Sequence, residues 1–135
     1  MKHHYELTVY HADTDCYGIV WHGNYLKFCE QARCNFVASV SKGMKYFEEN
    51  GILTPLIEAN VKYKNPAKVH DVLDIETSIE KLTPLRATIR QIIFNKTINK
   101  ETADITVTFV CTDKNGNLMR KMPDEMFKML EQNMN

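Results

Sequence analysis

With 135 residues, 44% of them hydrophobic and 25% charged, the chain is long enough to bury one core and too short for two ordinary domains, so residues 1–135 read as a single domain. Seventeen basic residues balance seventeen acidic ones, which removes any global pull toward nucleic acid or an anionic membrane surface. No apolar run approaches the ~20 residues of a bilayer span, and the opening residues lack the apolar centre of a secretion signal.

In chain order, residues 5–11 alternate, with Tyr5, Leu7 and Val9 on one face and Glu6, Thr8 and Tyr10 on the other, the pattern of a half-buried strand. An acidic loop follows. Asn24 is placed as the N-cap of a long helix that runs to Lys42, with Gly43 at the position after its end. Tyr25, Cys29, Ala32, Phe36 and Val40 form its apolar stripe, widened by Leu26, Phe28 and Val37. Such a helix is ~28 Å long, and its broad apolar surface needs an extended partner, most simply a sheet.

Residues 44–50 suggest a short second helix closed by Asn50 and Gly51. The segments 56–63, 72–81, 87–95 and 103–112 are rich in β-branched and aromatic residues and read as strands. Turn residues separate them, including Pro66, Pro84, Asn99 and the run from Asp113 to Asn117. Short connections favour antiparallel pairing. A terminal helix over 122–132 begins near Pro123 or Asp124. The economical solution is an α+β domain in which a curled antiparallel sheet wraps one long helix. Cysteines 16, 29, 34 and 111 have no metal-like spacing and read as reduced thiols, which points to the cytoplasm.

Chemistry concentrates where the first strand gives way to the long helix. Asp13 and Asp15 lie in the loop, and the helix start offers backbone N–H groups unpaired within the helix. Such a junction sets a carboxylate beside donors able to hold an oxyanion. The run Asp13, Asp15, Gly18, Val20, His22, Asn24, Tyr25, Leu26, spaced D-x-D-x-x-G-x-V-x-H-x-N-Y-L, resembles the hotdog-fold acyl-CoA thioesterases of the 4-hydroxybenzoyl-CoA thioesterase family, which includes the short-chain enzymes associated with the Tol-Pal system. Glu30, Ala32 and Arg33 extend the likeness. So do Tyr63-x-x-Pro66-Ala67 and the stretch from Asp71 through Thr77.

The resemblance implies a hotdog fold and hydrolysis of an acyl-CoA thioester to a free acid and coenzyme A, without metal or cofactor. It makes Asp15 the catalytic carboxylate, as nucleophile or general base. It puts carbonyl polarisation on the backbone N–H of His22, whose side chain either assists or fixes the loop. Gly18, Val20, Trp21, Asn24 and Tyr25 become substrate contacts, and Lys81, Arg86 and Arg90 are the nearby cations for coenzyme A. A homodimer or homotetramer with its site at the subunit boundary is also implied. Two departures stand out: His70 replaces a glycine common in the family, and Thr83, Pro84 and Leu85 occupy the region where some members carry a basic cluster. Two rival readings remain open at this point. One is a non-catalytic acyl-CoA-binding protein on the same fold; the other is a divalent-metal site from His11, Asp13, Asp15 and His22.

Overall fold

The structure, a computed structural model, describes residues 2–134. Five strands, β1 (His3–Thr8), β2 (Leu56–Tyr63), β3 (Val72–Leu82), β4 (Arg86–Asn95) and β5 (Lys100–Val110), form one sheet in the order β1-β3-β4-β5-β2. Every neighbouring pair is antiparallel. The long helix α1 (Asn24–Val40) packs on β1 and β3, with α2 (Met44–Glu49) and α3 (Asp124–Gln132) beside it. This is the hotdog arrangement.

Period-two patterning explains the sheet. On β3, Leu73, Ile75, Thr77 and Ile79 are buried, while the residues between them face outward. Ala87, Ile89, Gln91 and Ile93 do the same on β4. Against this face α1 lays Tyr25, Phe28, Cys29, Ala32 and Phe36. Ala32, with no accessible surface, lets the helix axis approach the strands. By contrast β2, at the sheet edge, is exposed along almost its whole length.

Among the boundaries that differ from the sequence reading, three have a clear local reason, while β5 runs Lys100–Val110 instead of 103–112. The first strand stops at Thr8 because the chain turns at once into a single 3-10 turn, His11–Asp13. Asp13 stabilises that turn by accepting the Tyr10 N–H at 2.9 Å through Oδ2. Helix α1 stops at Val40 because Ser41 Oγ donates to the Val37 carbonyl at 2.6 Å and accepts Gly43 N–H at 3.1 Å, drawing the chain out of the helix. Gly43 (φ +94°) therefore precedes α2 rather than closing α1. Asn24 is the first helical residue and not the cap, a position held by Gly23.

The sheet has two ends that differ in what covers them. The C-terminal ends of β1, β2 and β4 and the N-terminal ends of β3 and β5 lie together under the 9–23 loop, as the pairings Thr8↔Val72, Leu73↔Asn95 and Tyr63↔Ala103 show. The hairpin joining β3 to β4 lies at the other end, roughly 30 Å away along strands of ten or eleven residues.

Candidate active site

Residues 14–20 form a miniature hairpin. Thr14 and Val20 make an antiparallel bridge, Asp15 N–H donates to the Ile19 carbonyl at 2.9 Å, and Gly18 N–H closes the turn onto the Asp15 carbonyl at 3.0 Å. Gly18 has φ +78°, a conformation that glycine reaches without the clash an L side chain suffers. The Asp15 carboxylate folds back over its own turn, with Oδ1 accepting Tyr17 N–H at 2.9 Å. Its second oxygen, Oδ2, has no hydrogen-bond partner among the described residues.

The hairpin is anchored on both sides. Ile19 bridges to Lys68, and Val20 N–H donates to the Ala67 carbonyl at 2.8 Å. Trp21 N–H and the Asn24 side-chain amide both donate to the Asp13 carbonyl, at 3.0 and 2.8 Å. Asn24 thus ties the loop to the helix start from inside the helix. His22 and Gly23 follow Trp21, and among the described residues their N–H groups have no hydrogen-bond partner. They sit where the positive end of the α1 dipole adds its own pull on negative charge.

An aromatic wall stands beside these donors. Tyr63, the last residue of β2, donates its hydroxyl to the His22 carbonyl at 3.1 Å. Its ring lies 6.4 Å from the His22 ring and 5.9 Å from that of Tyr25. Trp21, half-exposed, packs 5.0 Å from His22. A cleft of about 210 Å³ opens here, bounded by Ile19, His22, Tyr25, Tyr63, Asn65 and Thr102. Thr102 falls at a β-bulge, where the β4–β5 register shifts, and its buried hydroxyl has no hydrogen-bond partner among the described residues.

The expected site residues divide into two groups. Asp15, Gly18, Val20, Trp21, His22, Asn24 and Tyr25 converge on the helix head. Val20 and Tyr25 are nonetheless core residues, at 2% and 3% exposure. The Tyr25 hydroxyl accepts Ala67 N–H at 3.1 Å. Burial first, and then the negative charges of neighbours including Asp71 and Asp15, push the Tyr25 phenol above its ordinary value, against the lowering effect of the Ala67 N–H. It is a neutral brace for the 67–71 turn and not a base.

Lys81, Arg86 and Arg90 do not join this group. Lys81 and Arg86 belong to the far end of the sheet, and Arg90 is held by Asp104 through two hydrogen bonds of 2.8 and 3.2 Å. They cannot serve the Asp15 loop of their own chain. Among the described residues no three His, Cys, Asp or Glu side chains gather as a metal site. The carboxylate of Asp13 is occupied at Tyr10, and the His11 ring turns to His70 at 5.5 Å. Buried Cys29 and Cys111, pushed up to about 12 and about 11 by desolvation, are inert thiols.

The sequence reading gave no role to Tyr63, Asn65 or Thr102. Tyr63 was visible as part of the downstream pattern. The Thr102 hydroxyl depends on the register shift between β4 and β5, which no local signal announces.

Residues 9–130 match the sequence pattern that defines the Thioesterase-like superfamily. The long-chain acyl-CoA thioesterase FadM of Escherichia coli is 28% identical, over 91% of this chain and 91% of its own length. A 1,4-dihydroxy-2-naphthoyl-CoA hydrolase of Trichodesmium erythraeum is 28% identical over 96% of each. In fold, the crystal structure of the Synechocystis 1,4-dihydroxy-2-naphthoyl-CoA thioesterase superposes with a TM-score of 0.86 at 21% identity, over 96% of each chain. The chain belongs to the Thioesterase-like superfamily. By class it is a hotdog-fold thioester hydrolase.

Proposed function

We propose that this chain hydrolyses an acyl-CoA thioester to a free carboxylic acid and coenzyme A, residues 1–135 acting as one catalytic domain. Asp15 supplies the reacting carboxylate, and the backbone N–H of His22, with that of Gly23 beside it, polarises the thioester carbonyl. A single observation carries this reading: a carboxylate oxygen within the hairpin 14–20 and the two helix-start N–H groups that follow that hairpin at residues 22 and 23 are all without hydrogen-bond partners among the described residues. Open to solvent, these groups are accessible to a ligand, and N–H groups at a helix start favour negative charge.

Two routes share this geometry. In one, Asp15 Oδ2 attacks the carbonyl carbon, the C–S bond breaks, coenzyme A leaves as thiolate and takes a proton, and water then opens the mixed anhydride. In the other, Asp15 takes a proton from water as that water attacks, and the tetrahedral intermediate expels the thiolate. In both, negative charge grows on the carbonyl oxygen, where one well-placed N–H is worth about 3 kcal/mol. Gly18, Val20, Trp21, Asn24 and Tyr25 shape the floor and rim that hold the acyl group against these atoms, and the His22 ring and Tyr63 form the adjoining wall.

The reading includes a homodimer, alone or paired into a tetramer. Strand β2 is an edge exposed on both faces, with Leu56, Ile57 and Tyr63 at 43%, 51% and 52% exposure. Antiparallel pairing of β2 with its copy reverses the second sheet, which carries that sheet's Lys81 and Arg86 end toward the first Asp15 loop. These candidate cations for coenzyme A then act across the subunit boundary. The free thiols at all four cysteines and a reaction on coenzyme A esters agree with work in the cytoplasm. No helix among the described residues is long and apolar enough to cross a membrane.

The test is thiol release from a panel of acyl-CoA esters, aliphatic and aromatic, by wild type and Asp15→Asn. Turnover by wild type and its loss in a folded Asp15→Asn protein are expected; undiminished turnover by the variant rejects the assignment. A single turnover in ¹⁸O-water tests the first route: label in the Asp15 side chain shows that the anhydride formed and that water opened it at the aspartyl carbonyl, whereas label in the released acid alone is common to both routes. Binding of acyl-CoA without turnover across the panel would establish the binding-only reading instead.

A further inference from the structure

Two peptide planes carry the donors at the head of α1, and the chain secures them in different ways. Because a peptide unit is planar, fixing its carbonyl fixes the N–H on its other side. The plane joining Trp21 to His22 carries the His22 N–H. Its carbonyl is held from within the turn, where Asn24 N–H donates to the Trp21 oxygen at 2.8 Å. The plane joining His22 to Gly23 carries the Gly23 N–H. It precedes Asn24, the first helical residue, and no backbone N–H of the described residues reaches the His22 carbonyl. Among the described residues that carbonyl has one partner, the Tyr63 phenol, which donates to it at 3.1 Å.

Tyr63 is mounted firmly enough to act as a hold. It ends β2 and pairs with Ala103 on β5, and the next residue, Lys64, donates its N–H to the Thr102 carbonyl at 2.9 Å. Its ring lies 5.9 Å from that of the buried Tyr25, whose own hydroxyl accepts Ala67 N–H at 3.1 Å. The phenol is thus carried by the sheet, while the peptide that it holds belongs to the helix head. That peptide needs an external hold because its far side is glycine, about which a peptide plane turns most freely. The Trp21 indole dictates the glycine, since a Cβ at 23 would lie 2.4 Å from its Cζ3. The close fit that excludes a side chain leaves the plane to be secured from elsewhere.

We infer that Tyr63 is a positioning residue for the thioester chemistry: its hydroxyl fixes the 22–23 peptide so that Gly23 N–H stands beside His22 N–H as a second donor to the substrate's carbonyl oxygen. The inference rests on the reading above and adds to it a donor set by a side chain 41 residues away. Tyr63 acts through the peptide and not on the reacting atoms. By drawing electron density toward the His22 oxygen, the phenol also strengthens Gly23 N–H as a donor. One such donor contributes about 10²- to 10³-fold to kcat. A plane released by loss of the phenol keeps part of this, so the hydroxyl accounts for roughly 10- to 100-fold.

Tyr63→Phe tests the inference, because it removes one oxygen and keeps the ring beside His22 and Tyr25. With the acyl-CoA ester that wild type hydrolyses fastest, kcat is expected to fall roughly 10- to 100-fold while KM stays within about 2-fold. The Tm is expected to stay within about 3 °C of wild type. A residue that only lines the cleft would raise KM at unchanged kcat, and one that only supports the fold would lower Tm with the kcat of the folded fraction intact. Either pattern overturns the inference, as does a variant indistinguishable from wild type. A second readout needs no turnover. The ketone analogue of an acyl-CoA, with CH₂ in place of the thioester sulfur, presents the same carbonyl without reacting. Its binding should move the amide proton resonances of both His22 and Gly23 downfield in wild type, and that of His22 alone in Tyr63→Phe. A Gly23 amide that responds equally in the two proteins, or not at all in wild type, overturns the inference. Hydrolysis by wild type is scored separately, so a protein that binds the analogue as expected and hydrolyses no ester rejects the thioesterase reading and not the hold on this peptide.

Discussion

The head and the waist of α1 both bring polar groups to the boundary between helix and sheet, and they treat them in opposite ways. At the waist, Gln91 spends its amide on Arg33, Cys29 and Thr77, all within 3.1 Å, and is wholly buried. At the head, Asp15 Oδ2 and the N–H groups of His22 and Gly23 are left without partners among the described residues, under an exposed loop. A satisfied buried group stabilises the fold, and an unsatisfied accessible one is free to bind. The same helix thus has a satisfied, buried waist and an open, accessible head.

The largest expected effect is a double dissociation between these regions. Asp15→Asn keeps the Oδ1 acceptor for Tyr17 and removes the charge, so kcat for thiol release should fall by ~10³-fold or more with little change in Tm. Gln91→Met keeps volume but strands Arg33 and Thr77. Stability should drop by about 2 kcal/mol, a Tm loss of roughly 6–10 °C, with kcat of the folded fraction near wild type. Equal effects of both substitutions on both measurements would dissolve the distinction.

Two glycines sharpen the picture at the head, because they are there for different reasons. Gly18 adopts φ +78° in open space, so alanine meets no neighbour but strains the backbone. Gly18→Ala should cost about 1 kcal/mol and reduce kcat by loosening the turn that aims Asp15. Gly23 has an ordinary helical φ of −71°, but a Cβ there would lie 2.4 Å from Trp21 Cζ3. Gly23→Ala must therefore swing the indole away while leaving the turn intact. Trp21 is the single tryptophan, so a shift in intrinsic emission reports the movement directly.

Much of this was legible in the chain. Helix α1 and strands β2 to β4 fall within two residues of the periodicity reading, because a 3.6-residue stripe and period-two alternation each match one burial pattern. Asp15 stood out as a candidate through the spacing of its loop. What escaped prediction depends on side chains that compete with the backbone or on pairing at long range. Ser41 cuts α1 short through its hydroxyl, and Asn24 serves as an inward tie because the Asp13 carbonyl is there to receive it. Tyr63 reaches His22 from 41 residues away, across a fold in the chain that no local pattern encodes. Lys81, Arg86 and Arg90 were named for their place around residues 83–85, and strand direction sets the first two at the end of the sheet opposite the Asp15 loop of their own chain.

The smallest expected effect concerns the turn that supports the head from below. His70 sits at φ +74°, the left-handed conformation that a glycine at this position adopts without penalty. The turn is retained despite the substitution because the backbone on both sides is pinned: His70 N–H donates to the Val9 carbonyl at 2.7 Å, and Asp71 Oδ2 accepts both Lys68 N–H at 2.9 Å and Asn95 Nδ2 at 2.8 Å. The chain therefore carries the strain of a non-glycine residue here, offset only by the edge-on contact of the His70 and His11 rings. His70→Gly relieves the left-handed strain and loses that exposed contact, while the greater freedom of glycine in the unfolded chain opposes the gain. The balance is a stabilisation of about 0.5 kcal/mol with kcat unchanged, read as a small rise in Tm. A fall in Tm would show that the ring contact with His11, and not the backbone conformation, governs this turn.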